Sequence, residues 1–161
     1  MKQTGLAVVF DCNVLLQAAA RGKSPAAACL RLAEDGYVRL YASQETLDEL
    51  SEVLRRPKIK THFPELTEAA IDEFLSRLSR TVEIIKHIPR SFAYPRDVGD
   101  EPYINLAIAV KAAYIISHDK DLLDLMTGYT DECKEFRQRF RPLRVVGPLE
   151  FLREVERGTS F

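Results

Sequence analysis

The sequence predicts an α/β domain with a mainly parallel sheet, and three observations predict it. Short apolar runs alternate with segments of helical periodicity from one end of the chain to the other. That is the pattern of parallel strands joined by crossover helices. The first run, Leu6–Phe10 (LAVVF), is apolar throughout, as in a strand buried on both faces. No linker, low-complexity tract or internal repeat interrupts the 161 residues, so the expectation is one domain over residues 1–161.

The elements follow in order. Asp11 ends the first strand, and the Ala-rich stretch Val14–Ala20 reads as a helix. Ser24 supplies an N-cap and Pro25 a first helical residue for a helix reaching Glu34. Asp35-Gly36 stops it, and Val38–Ala42 is the second strand. Ser43 caps a helix over Gln44–Arg56, which Pro57 is expected to end. Pro64 to Arg80 carries Leu66, Ile71, Phe74 and Leu78 at helical spacing. Val82–Ile85 is the third strand, and Arg90 to Gly99 a loop. A helix runs from Glu101 to Lys111 with Pro102 in its first turn. Ala113–Ser117 is the fourth strand, Asp121–Met126 and Asp131–Arg139 are short helices, Leu143–Val146 is the fifth strand, and Pro148–Glu156 the last helix. Crossovers are expected to be right-handed.

Composition removes whole classes of function. Lys plus Arg number 23 against 24 Asp plus Glu, so the net charge of −1 announces no general polyanion partner, although a local patch is compatible with it. Three widely spaced cysteines and three histidines leave no disulfide scaffold, thiolate zinc site or His-rich metal site, and suggest a reducing, cytoplasmic setting. No apolar run approaches membrane-spanning length, so no membrane association is expected. The opening MKQTGLAVVFD does not resemble a secretory signal.

Chemistry is concentrated in acids that follow strands. In open α/β sheets, ligands bind beyond the carboxyl ends of strands, where strand order reverses. Asp11 directly follows the first strand, and Asp119 comes two residues after the fourth, in S-H-D-K-D. Neither position has an evident ordinary reason for an acid. Asp97, Asp100 and Glu101 lie at the start of the helix leading into the fourth strand, where capping is the commoner role for Asp97 and Asp100. On the Gln44–Arg56 helix, Leu47, Leu50, Val53 and Leu54 form the buried stripe. Glu49 flanks it, facing the strand tips.

Carboxylates gathered in one cleft repel, at about 4 kcal/mol per pair for ~4 Å and an effective dielectric of ~20. Either their pKa values rise or a cation neutralises them. Ligands that are all oxygen favour Mg²⁺ or Mn²⁺ over zinc. Such a cation activates water and stabilises charge on a phosphoryl oxygen, which is the chemistry of phosphodiester hydrolysis.

Five segments in order carry a family resemblance: V-V-F-D-C-N-V-L-L, the E-T-L-D-E-L run before R-P-K, R-D-V-G-D-E-P-Y-I-N-L-A-I-A, A-Y-I-I-S-H-D-K-D-L-L, and G-P-L-E-F-L. Together they resemble the PIN domain, and most closely a branch described as toxins of toxin–antitoxin systems. The likeness runs from about Leu6 to Leu152. It implies a three-layer α/β/α sandwich with strand order 3-2-1-4-5 and a Mg²⁺- or Mn²⁺-dependent ribonuclease site. By position the site acids would be Asp11, Glu49, Asp100 and Asp119, which would also hold the metal. Asn13 and Ser117 would support them. Glu101 or Asp97 could take the third place instead of Asp100, and Asp121 would stand behind the ligands. Asn105 stands where relatives often carry an acid. The resemblance further implies an RNA substrate, a cognate antitoxin protein and a homodimer.

Other signals divide between roles. Arg55, Arg56, Lys58 and Lys60 form a compact basic segment able to contact an RNA backbone, or merely a solvated helix end. Arg137, Arg139, Arg141 and Arg144 pose the same choice. Tyr94 and Tyr103 could stack on bases or pack. Cys12 reads as a small buried hydrophobe and His118 as an incidental loop residue. Two other classes compete with a nuclease, a phosphatase and a non-catalytic binding module, of which a receiver domain is one version. A haloacid-dehalogenase-like phosphatase needs D-x-D after the first strand, where the chain has Asp11-Cys12-Asn13. A silent RNA- or protein-binding module keeps the fold without the chemistry. A receiver domain needs an acid after the third strand, which here ends in Lys86-His87.

Overall fold

The computed structural model describes residues 5–158. The elements are β1 (Leu6–Phe10), α1 (Cys12–Ala20), α2 (Pro25–Glu34), β2 (Val38–Ser43), α3 (Gln44–Leu54), α4 (Pro57–His62), α5 (Glu68–Thr81), β3 (Glu83–Ile85), a 3-10 turn (Val98–Asp100), α6 (Glu101–Ala109), β4 (Tyr114–Ile116), α7 (Lys120–Thr127), α8 (Asp131–Arg139), β5 (Arg144–Val146) and α9 (Pro148–Gly158). The five strands form one parallel sheet in the order β3-β2-β1-β4-β5. This is the topology the resemblance implies.

Alternate residues of the central strands enter opposite layers. Val8 and Phe10 pack with Leu50, Leu54, Ile71 and Phe151 on one face. Val9 packs with Ile104, Leu106, Ile115 and Phe136 on the other. Both faces of β1 and β4 are therefore covered, which is why their sequences lack polar alternation. The chain begins in the sheet's middle, winds outward through β2 to β3, and returns to β4 on the other side of β1. The carboxyl ends of β1 and β4 thus flank the switch point. There the Asp11 amide donates to the Ile116 carbonyl at 3.1 Å.

Several boundaries differ from the sequence expectation. Pro57 does not simply end a helix. α3 stops at Leu54, and Pro57 opens the separate helix α4, because a proline ring fits a first turn that needs no N–H donor. α5 starts at Glu68 rather than Pro64, since the Thr67 hydroxyl accepts from the Ala70 amide at 3.1 Å and fixes the entry there. α6 ends at Ala109, and Lys111 (φ 53°) turns the chain toward β4. Among the described residues, no helix is long and apolar enough to cross a membrane.

Candidate active site

A cleft of about 250 Å³ opens at the carboxyl ends of β1 and β4. Asp11, Glu49, Asp97, Asp100 and Asp119 all line it, with Asn13 and Cys12 beside them. Four of these acids are the predicted set. The fifth, Asp97, was an alternative to Asp100 for the third place, and here it stands beside Asp100 rather than instead of it: one oxygen each of Asp97, Asp100 and Asp119 lies within 4.8 Å of the others.

The capping roles fall on the opposite pair from the one expected. Asp11 Oδ1 accepts from the Val14 amide at 2.9 Å and so caps α1. Asp119 Oδ1 accepts from the Asp121 amide at 2.8 Å and caps α7. Asp97 and Asp100 make no side-chain cap. Their carboxylates are left to the cleft, and Asp100 Oδ2 is buried with no hydrogen-bond partner. Gly99 between them has a reason of its own: a Cβ there would stand 3.3 Å from Asp97 Oδ1.

Ser117, at the end of β4 and fully buried, joins two of the acids. Its hydroxyl donates to Asp11 Oδ2, and its oxygen accepts from the Asp119 amide at 2.8 Å. On α3, Glu49 Oε1 accepts from the Tyr103 hydroxyl. Tyr103 and Tyr94 are 3% and 1% exposed, so neither presents a ring to a base. The stacking expectation is replaced by packing, with the Tyr94 hydroxyl held on the Asp121 carbonyl at 2.7 Å.

The electrostatics register the crowding. Burial, reinforced by Asp119, Asp97 and Asp11, pushes the Asp100 carboxyl up to about 8. Burial also pushes Asp11 up to about 6, against the lowering hydrogen bonds from Ser117 and Val14, and Asp119 and Glu49 add to the rise. Cys12 is half-buried rather than fully buried, and burial beside Glu49 and Asp11 pushes its thiol up to about 12. It remains protonated at neutral pH and is no candidate nucleophile.

Other predicted residues are drawn elsewhere. Glu101 does not enter the cleft. Arg90 grips it through two bonds of 2.8 and 3.2 Å, and the Tyr94 amide adds a third at 2.8 Å. The Arg90 bonds hold its carboxyl below the usual range. Asp121 is paired with Arg96 at 2.7 Å and approaches the site only through its amide. Asn105 uses its side chain to fix the loop ahead of the acids, accepting from the Ser91 and Phe92 amides at 2.9 and 2.8 Å. His118 is exposed.

The basic segment is largely spoken for. Arg55 bonds Glu68 and Asp72, and Lys60 bonds Glu68. Arg56 pairs with Glu52 on the exposed surface yet also lines the cleft. Lys58 is exposed. The Arg56–Glu52 pair follows helical i,i+4 spacing, whereas the partners of Arg55 and Lys60 lie on α5, where spacing alone could not show them.

Burial, carboxylate-only donors and an orphaned Asp100 oxygen are what a hard divalent cation requires. The residues present fit Mg²⁺ or Mn²⁺. A family model described as the PIN domain matches residues 7–121. No curated protein matches the chain. Among solved structures, a chain in the crystal structure of VapBC2 from Rickettsia felis bound to a DNA fragment from their promoter is similar, with a TM-score of 0.53. The identity is 17%, and the match covers 88% of this chain and 98% of that one, a likeness of fold.

Proposed function

The chain belongs to the PIN domain family, and from that premise we propose that its carboxylate cleft is the active site of a divalent-cation-dependent ribonuclease. The observation that carries the reading is the buried, unpartnered Asp100 Oδ2, on a carboxylate clustered with those of Asp97 and Asp119. A cation is the simplest partner for it. Asp11, Glu49, Asp100 and Asp119 are the proposed ligands and catalytic acids, with Asp97 beside them. When bound, Mg²⁺ or Mn²⁺ would lower the pKa of a water and neutralise charge growing on a phosphoryl oxygen.

The chain's own residues divide the remaining work. Ser117 orients Asp11 and Asp119 through one hydroxyl. Tyr103 holds Glu49 toward the cleft. Arg56, at the rim, is placed to meet a phosphate of the RNA backbone. Asn13 lines the mouth as a neutral polar contact. The Asp11-Cys12-Asn13 order lacks the second acid a phosphoaspartate mechanism needs, which favours hydrolysis by water.

The likeness to a VapBC2 chain supports placing the protein as the nuclease of a toxin–antitoxin pair, with a cognate antitoxin protein as its partner. A cytoplasmic setting fits the three free cysteines. The test is cleavage of labelled RNA by the purified protein with Mn²⁺, with Mg²⁺ and with EDTA. Titration calorimetry with Mn²⁺ is the companion measurement. Cleavage with either ion that stops in EDTA is expected. Failure to bind Mn²⁺ would overturn the reading and leave a silent module.

A further inference from the structure

At the opposite end of the sheet, where β4 and β5 begin, two depressions share a wall. One of about 390 Å³ has Ala107, Ile108, Phe140 and Leu143 among its walls. The other, of about 520 Å³, runs along α8 beside Met126. Arg141, Pro142 and Leu143 line both, so the two form one groove with an apolar floor.

Its charge is one-sided. Lys111, Lys134, Arg137, Arg139, Arg141 and Arg144 line it, and no Asp or Glu does, in a chain whose net charge is −1. Arg139 is paired with Glu135, and Arg144 with Glu150 and Glu154. The others are not cancelled. Arg137 donates to the carbonyls of Leu125 and Gly128, both at 2.9 Å, which engages two of its five N–H groups and leaves its charge. Lys111, Lys134 and Arg141 are exposed and have no acid partner among the described residues. Lys111 also sits at φ 53°, a left-handed position after the helix where a glycine would ordinarily stand.

We propose that this groove docks an acidic peptide segment bearing apolar side chains, supplied by a partner protein. Its apolar residues would seat against Ile108, Pro142 and Leu143. Its carboxylates would reach Lys111, Lys134 and Arg141, the last able to grip one through two parallel bonds. A nucleic acid matches the charge but not the floor. Single strands want an open aromatic face to stack on, and the Phe140 ring is covered by the Arg139 guanidinium at 4.7 Å and met by Phe92 and Phe136. The inference is independent of the chemistry in the carboxylate cleft.

The test is fluorescence anisotropy on the full chain with a short labelled peptide of glutamates interrupted by leucines at helical spacing. Two comparison probes are a peptide of equal charge with serine for leucine and a single-stranded DNA of similar length. Saturable binding of the first peptide with Kd below about 1 mM is expected, weakened about tenfold or more by Lys111→Glu with Arg141→Glu, and about tenfold weaker for the serine peptide. Lys134→Glu, on a different element, is the second variant if the double one does not fold, and RNA cleavage should be unchanged in both. No saturation, equal binding of the serine peptide, tighter binding of DNA, or indifference to charge reversal would each overturn the proposal.

Discussion

Ser117 and Asp11 meet across the two central strands, the hydroxyl of one donating to Oδ2 of the other although 106 residues separate them. Because the same hydroxyl oxygen accepts from the Asp119 amide, a single small side chain sets two acids at once.

Ser117→Ala should therefore cost more than a surface hydroxyl. It strands a buried carboxylate oxygen and a backbone amide, at about 1–3 kcal/mol for an unsatisfied group. It also removes a bond that lowers the Asp11 pKa, so that pKa should climb. Urea unfolding checks the first effect, and a stability within about 0.3 kcal/mol of the parent would show that the serine fixes nothing.

Asp11→Asn preserves the shape of the side chain and its cap on α1, so the fold should persist. Nuclease activity should fall about 10³-fold, the loss of several kcal/mol of charge stabilisation at the reacting phosphate. Cleavage of labelled RNA with Mn²⁺, alongside a circular dichroism melt, separates the two effects. Undiminished cleavage would remove Asp11 from the mechanism.

The cation-free protein should lose stability as pH rises. The folded-state pKa of Asp100, about 8, exceeds its ordinary value of 3.8, and that of Asp11 reaches about 6. A folded state that holds protons more tightly is favoured fully below about pH 3.8. That advantage fades as pH climbs through about 6 for Asp11 and about 8 for Asp100. Melting temperatures in EDTA should decline over this range more steeply than those of Asp100→Asn. Identical slopes for the two proteins would contradict the crowding of charge. Added Mn²⁺ should restore the high-pH melts by binding only the folded form.

Gly99→Ala tests whether Asp97 belongs to the cation site. The new methyl would press on Asp97 Oδ1 from 3.3 Å and move it by a few tenths of an ångström. Mn²⁺ affinity should fall several-fold, roughly 1 kcal/mol, with little change in the melt. Unaltered calorimetric affinity would place Asp97 outside the ligand set.

The fold was legible because its signals are local. LAVVF and AYIIS needed only their own composition to read as buried strands, and Ser24 and Ser43 cap as their sequence contexts predict. Pro57 was misread because a proline that closes one helix and a proline that opens another look alike without the turn between them. The cleft was legible in Asp11, Asp119 and Glu49, each tied to a strand end or a helix face. It was less so among Asp97, Asp100 and Glu101. What separates those three is Arg90, which captures Glu101 from a loop eleven residues upstream, and the absence of any cap on the two aspartates. Both facts depend on where a distant segment folds back. The pairing of the basic run from Arg55 to Lys60 was hidden for the same reason: Glu68 and Asp72, on α5, bond Arg55 and Lys60.

The placement of β1 between β2 and β4 has a consequence for the chain as it is made. β1, made before the other four described strands, becomes the central one, and one of its edges stays open until the segment around residue 114 emerges to pair with it. Asp11 leaves the ribosome long before Ser117 and Asp119, so a nascent or truncated polypeptide holds only part of the acid cluster. A polypeptide that stops short of residue 117 therefore lacks both Asp119 and the hydroxyl that joins it to Asp11.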